Sequence, residues 1–411
     1  MPTKVRLRSA TLDGQRINQY VSGLSVYESM CTPYRKAEFT VIDNSGWVAE
    51  IAASRPGSLA GIPMSFSFDA GEEVYSSTEM VIQSVKSTPS PENRTSKIYT
   101  IGCIGRSYVN DRKNLVQKAF TNIPASSAAS LIHNQFIGSD APLQLLQNTI
   151  GMIAKDTIGS FPINNVHPFL AIQQILERAT YGGAYANPTV YFRNRDAYVL
   201  APLQQLFQTA TPAVTIHESA TWGTNIGHMF DDAHYAVIAA TLLLDPEDGK
   251  RAGSNLSRSA SAAVQNLNIF DAAGNIQTIK KFASLTSLSG LVQAAAGLVS
   301  RQGGSLNNFL FNSLQNNISS EPAIGRIQEQ EFLARTGDAD KYLIKYPIRA
   351  GIKTTAGGGL NARLIGPRGA LGVRQIGGLM LIADLMHELY FDDRPVQGTT
   401  TVRCVRCSDV V

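Results

Sequence analysis

A β-rich α+β fold is what this sequence predicts, with two strand-rich portions flanking a mixed middle. Three observations carry the expectation. Residues 1 to about 106 read as short alternating strands with turns between them, the next hundred or so carry helical stripes, and strand patterning returns from about residue 336. At 411 residues the chain has room for two or three domains.

The first portion justifies its strands one by one. "KVRLRSATLDGQRI" alternates Val5 and Leu7 with Lys4, Arg6 and Arg8, and offers Asp13-Gly14 as a hairpin turn. "AEFTVIDNSGW" alternates Phe39 and Val41 with Glu38 and Thr40, then stops at Asn44-Ser45-Gly46. "GIPMSFSFDAGEEV" puts Met64, Phe66 and Phe68 on one face, and "EMVIQSVKS" and "SKIYTIGCIG" follow as further strands. At least five short strands predict an antiparallel barrel or sandwich.

The segment from Tyr108 to Phe136 breaks that pattern. It opens polar and basic, passes Pro124, and then sets Ala128, Leu131, Ile132 and Phe136 on one helical stripe, with Ser126 and Ser127 where an N-cap is expected. A second helix is expected in "HPFLAIQQILERATYGG", where Phe169, Ile172, Leu176 and Ala179 share a face and Gly182-Gly183 ends it. "TVYFRNRDAYVLAPL" then reads as two strands around the turn Asn194-Arg195-Asp196. β-character returns in "PAVTIHES" and "HYAVIAATLLLD".

From about 251 to 325 the composition shifts to Ser, Ala, Asn, Gln and Gly, and between Phe282 and Glu321 only Arg301 is charged. Leu285, Leu288, Val292, Ala295 and Leu298 repeat there with helical spacing. An uncharged helix needs cover, either from its own domain or from another subunit. The last portion holds "KYLIKYPIRAG", then short strands broken by glycine, with Pro367-Arg368-Gly369 and Gly377-Gly378 as turns. "TTTVRCVRC" closes the chain as a strand. No residue-level repeat between the two β-portions is visible.

Composition narrows the function classes. Charged residues make up 17%, against about 25% in ordinary soluble domains, which suits a surface partly covered by partners. The net charge of +4 is nearly balanced and does not predict nucleic-acid binding. Four cysteines argue against a disulfide scaffold. No signal peptide and no membrane-spanning run are expected, so stable membrane insertion is not predicted and assembly in a cytoplasm is.

Candidate chemistry is sparse. Cys404-x-x-Cys407 lacks the second ligand pair of a zinc site and the βαβ setting of a redox motif. His228, Asp231, Asp232 and His234 hold metal-ligating types, but a turn between strands uses Asp in the same way. Gly357-Gly358-Gly359 is followed by no phosphate-loop Lys-Ser/Thr, and His217-Glu218 and His387-Glu388 each lack the second histidine of a zinc-protease helix. No catalytic, cofactor or metal site is expected, and the chain is not expected to be an enzyme.

The order of parts carries more. From Ile98 to Phe136 a strand, a Tyr-Val-Asn-Asp-Arg linker and a "KAFTNIPASSAASLI" helix start follow one another, and "HPFLAIQQILERA" leads to "TVYFRNRDAYVL". In this the chain resembles the baseplate or tail hub proteins of contractile-tailed bacteriophages, which are related to the hub part of type VI secretion spikes. The likeness covers residues 1 to about 205 well and 206–335 poorly. It implies a tube-type β-barrel at 1–110, a small peripheral α+β domain at 111–205, a joining β-segment at 206–250, a Ser/Ala/Asn-rich insertion at 251–335, and a second tube-type barrel at 336–411. It further implies a virion protein of the baseplate: a homotrimer that matches a hexameric tail tube to a trimeric central spike. Tube, tube-initiator, spike and tape-measure proteins would be its neighbours, and DNA would pass through the lumen without specific binding. Asp111, Arg112 and Lys113 would then be solvated linker residues or interdomain contacts.

Two other readings stand beside this one. A tail-associated cell-wall glycan hydrolase needs clustered carboxylates, which no motif shows. A monomeric glycan- or receptor-binding module needs an aromatic platform, and Trp47 and Trp222 are the only tryptophans. Trp47 is expected in the core at a strand start.

Overall fold

The computed structural model describes residues 5–53, 59–70, 73–89, 96–138, 141–145, 157–158, 160–178, 189–217, 234–236, 239–242, 268–270, 276–278, 341–369, 372–391 and 398–407. The chain opens with β1 (Val5–Leu12), β2 (Gln15–Arg16), β3 (Val21–Ser29), β4 (Lys36–Asp43), helix α1 (Trp47–Ala53), β5 (Pro63–Ala70), β6 (Glu73–Pro89) and β7 (Lys97–Gly105). A mixed unit follows: α2 (Arg106–Lys113), β8 (Val116–Phe120), β9 (Ile123–Pro124), α3 (Ala125–Ile132), β10 (Leu143–Leu145), β11 (Thr157–Ile158), β12 (Phe161–Val166), α4 (Pro168–Arg178), β13 (Thr189–Arg193), β14 (Tyr198–Pro202) and α5 (Leu203–Thr209). Then come β15 (Pro212–His217), β16 (His234–Ala236), β17 (Ala239–Leu242), β18 (Asn268–Phe270), β19 (Ile276–Thr278), β20 (Lys341–Pro347), α6 (Ile348–Gly351), β21 (Gly359–Gly369), β22 (Gly372–Tyr390) and β23 (Gly398–Arg406).

One 14-stranded sheet joins the two ends of the chain. Its first portion pairs in the order β1-β5-β6-β7-β4-β3, and its second in the order β15-β21-β22-β23-β20-β17. In chain order these are the same pattern twice. The likeness reaches single residues. β6 and β7 slip register between Ile82 and Ser84, and β22 and β23 slip between Ile382 and Asp384. Cys103 faces Ile82 across the first pair, and Cys404 faces Ile382 across the second.

Before each bulge a glycine with positive φ, Gly61 at 84° and Gly357 at 78°, donates its N–H to the carbonyl of Ile82 or Ile382. A side chain would strain both turns. The repeat is not exact: β1 pairs antiparallel with β5 whereas β15 pairs parallel with β21. Sequence hides this repeat because the shared positions ask only for apolar or small residues. "MVIQSVKSTP" and "MLIADLMHEL" keep a Met and an Ile in common and little else.

Each portion has its own apolar core. Phe39, Phe66, Phe68 and Ile101 are buried in the first, and Ile344, Leu360, Ile382 and Val402 in the second. The Asp13-Gly14 hairpin is present, with φ of 52° and 79° between paired Leu12 and Gln15. The expected Asn44-Ser45-Gly46 turn leads into a helix and not a strand. Asp43 accepts hydrogen bonds from the backbone N–H groups of Ser45, Gly46, Trp47 and Val48, and so starts α1. Trp47 therefore sits at a helix start, half-buried and stacked on Tyr20 at 5.4 Å.

The mixed unit corrects four expectations. The Tyr-Val-Asn-Asp-Arg stretch is helix α2, not a linker, and its inward face is the polar pair Ser107 and Asp111. Helical periodicity of apolar residues cannot see such a face. Asp111 is not solvated: it is 1% exposed and accepts a 2.7 Å bond from the Phe169 N–H in the first turn of α4. Helix α3 starts at Ala125 with Pro124 as its N-cap, so Ser126 lies inside it, and Leu131 is 43% exposed because the buried face runs through Ala125, Ala128, Ala129 and Ile132. Phe169, Ile172 and Leu176 of the α4 stripe are buried as expected, while Ala179 and Gly182-Gly183 lie outside the described residues, and β13 and β14 form the expected hairpin.

The glycine-rich end also differs from expectation. Gly377 and Gly378 lie within the 19-residue β22, and Pro367 to Gly369 lie within β21, so two long strands replace several short ones. Pairing of β21 with β22 carries the ladder through Gly377 and Gly378 and, past an irregularity between Ile365 and Arg368, to Gly369, where the glycines alone suggested turns. Leu285, Leu288, Val292, Ala295, Leu298 and most of the 251–335 segment lie outside the described residues, which there include only the hairpin β18–β19.

Candidate functional site

The two portions of the sheet meet where β3 pairs antiparallel with the second half of β22, from Ser29 opposite Asp384 to Gly23 opposite Tyr390. Side chains from three parts of the chain converge behind this seam. Glu28 on β3 is 1% exposed, and its two oxygens accept bonds from the Tyr75 hydroxyl at 2.8 Å and the Ala356 N–H at 3.3 Å. Arg35, also buried, donates to the Tyr75 hydroxyl at 3.1 Å and to Ser77 Oγ at 3.0 Å. Burial raises the carboxyl pKa of Glu28, against the pull of the Arg35 charge and of the hydrogen bonds from Tyr75 and Ala356.

His387 on β22 completes the group. Its ring lies edge-on to Tyr75 at 5.8 Å and shares a 2.8 Å hydrogen bond with Thr400 Oγ1. Burial, helped by the charge of Arg195, lowers its pKa to about 3, so the ring is neutral at ordinary pH. The β13–β14 hairpin closes the cluster from the mixed unit, with Arg195 donating to the Ile352 carbonyl at 2.6 Å. Nearby, Arg403 and Asp384 form a hydrogen-bonded ion pair beside the β22 bulge. Gly357 lets the aromatic ring of Phe192 approach, since a methyl there would lie 2.5 Å from it.

These groups are turned on one another. The acid is bonded through both oxygens, the Tyr75 hydroxyl is pushed up by burial, and the base is neutral and packed. Such an arrangement fixes the mutual position of three chain segments. Sequence reasoning missed this cluster; a charged residue inside an apolar strand, as in "VYESMC" or "LMLIADLMHEL", is the signal by which it could have been found.

Cys404 is buried on β23 and Cys407 half-buried beyond it, and burial pushes both thiols up, Cys407 to about 11. Among the described residues no three His, Cys, Asp or Glu side chains gather as metal ligands. His228, Asp231, Asp232 and Trp222 lie outside the described residues, as does Glu218, while His234 begins β16 and His217 ends β15. Gly357 and Gly358 form the turn before β21, and Gly359 starts it. Among the described residues no helix is long and apolar enough to cross a membrane.

The fold defines a class by likeness: it is similar to that of phage tail proteins, in superpositions that cover 99% of the chain. The tail protein from Neisseria meningitidis MC58 superposes with a TM-score of 0.52 at 11% identity, over 99% of this chain and 98% of that one. The 43 kDa tail protein of prophage MuSo2 from Shewanella oneidensis gives 0.50 at 9% identity, over 99% and 100%. At such identities fold is what is shared. A type VI secretion component of E. coli, described as similar to the T4 tail proteins gp27 and gp5, gives 0.44 at 11% identity over 98% of this chain and 76% of its own. No protein-family model matches the chain, and no curated protein sequence matches it.

Proposed function

We propose that the chain is a structural protein of a phage-type tail baseplate, the hub that matches a hexameric tube to a trimeric central spike. The observation that carries this reading is the doubled strand order, β1-β5-β6-β7-β4-β3 and β15-β21-β22-β23-β20-β17, within one chain. Three copies then offer six nearly equivalent portions to the tube on one face, while the mixed unit differs from both and keeps the other face threefold. Each portion closes as a tube-type barrel when copies assemble, the first within 1–110 and the second across 206–250 and 336–411, with 111–205 at the periphery. The helix of Leu285, Leu288, Val292, Ala295 and Leu298 covers its apolar face against another subunit. Tube, tube-initiator, spike and tape-measure proteins are its partners, DNA crosses the lumen without specific contacts, and no reaction is catalysed.

Native mass spectrometry of the purified chain at micromolar concentration tests the reading. The expected result is a species of three times the 44.3 kDa chain mass. A clean monomer that stays monomeric when concentrated would set the hub reading aside in favour of a monomeric binding module.

A further inference from the structure

The seam inside the chain shows how one portion joins the next. β3 is held on one edge by its own β4 and on the other by β22 of the second portion. β22 divides that edge between two neighbours: β21 takes Gly372–Leu381, and β3 takes Asp384–Tyr390 beyond the bulge. β23 runs along the opposite edge.

β6 is built the same way up to its bulge. β5 takes Glu73–Val81, the Gly61 turn closes on Ile82, and β7 runs along the opposite edge from Met80 to Pro89. There the parallel stops. Among the described residues no strand lies against Ser84–Pro89 on the β5 side. Lys86, Ser87, Thr88 and Pro89 are exposed, whereas their counterparts Met386, His387 and Leu389 are 6%, 0% and 1% exposed. The complementary strand has an open edge too. β17 pairs with β20 as β3 pairs with β4, and among the described residues nothing pairs with its other side.

We propose that the open half-edge of β6 receives β17 of a second copy in antiparallel pairing, so that copies join head to tail through the strand pair that already joins the two portions of one chain. This rests on the ring reading above and gives it a specific contact. The register follows from the repeat. Val402 stands to Cys404 as Ile101 stands to Cys103, and Ile344 opposite Val402 therefore matches Phe39 opposite Ile101. Ala240, opposite Ile344, then takes the place of Leu24, Thr241 that of Ser25, and Leu242 that of Val26. Since Glu388 faces Ser25 and His387 faces Val26, Thr88 is assigned to Thr241 of the second copy and Ser87 to Leu242. Pro89, which has no N–H to give, ends the ladder.

A contact between unlike surfaces closes into a ring only when its rotation suits. An isolated edge bearing a lysine and a proline is also how single chains avoid pairing at all. Disulfide trapping separates the two cases. Full-length Thr88→Cys and Thr241→Cys chains are mixed in equal amounts, oxidised mildly, and run on a non-reducing gel; Ser87→Cys with Leu242→Cys tests the neighbouring pair of the same register, and Val85→Cys with Thr241→Cys serves as the mismatched control. The expected result is a covalent dimer from at least one matched mixture, with none from a single variant alone and none from the control. A trimer by native mass with no matched cross-link overturns this contact and leaves the ring reading standing. A Thr88→Cys homodimer also overturns it, because β6 would then pair with β6. A monomer without cross-links overturns both.

Discussion

His387 illustrates how single residues hold the seam. Its neutral ring fills the space between Tyr75 and Thr400, and burial keeps the proton off until the pH falls to about 3. The folded pKa is depressed below the ordinary 6.5, so the stabilisation is present above that value and lost as the pH falls through the window down to about 3. Glu28 acts in the opposite sense: its raised pKa favours the folded state at low pH, and that contribution is lost as the pH rises through the raised value. His387→Asn is therefore expected to flatten the fall in urea midpoint between about pH 7 and about pH 4, where the parent chain should lose on the order of a few kcal/mol. Equal slopes for parent and variant would show that the ring does not govern this window.

At the scale of elements, the short helix α6 shows how closely parts are fitted. Gly351 ends it against β23, and a methyl there would lie 1.5 Å from Thr400 Oγ1. Thr400 cannot move without releasing His387, so Gly351→Ala is expected to lower stability by about 1–3 kcal/mol, read as a lower thermal midpoint. The sequence gives no hint of this contact, which joins residues 49 positions apart only after the sheet has formed. Strands were legible where apolar and polar residues alternate, as in β1, β4 and β5, and α4 was legible from its stripe of Phe169, Ile172 and Leu176. Helix α2 was not, because Ser107 and Asp111 face inward where periodicity expects apolar side chains. β22 was not, because its glycines read as turns while pairing with β21 keeps them in the ladder. The seam cluster escaped for another reason: Glu28, Arg35, Tyr75 and His387 come together only across strand pairings that span the chain.

On the scale of the whole molecule, one chain holds two similar sheet portions and one unlike unit, fixed together by a buried polar seam. In the proposed assembly, three such chains form a ring with six similar lobes around a common axis. Averaged electron micrographs of the purified chain, viewed down that axis, test this most directly. The expected image is a torus with six inner lobes alternating between two kinds and a threefold outer outline. Compact particles without a central opening, or a ring whose lobes number other than six, would contradict it.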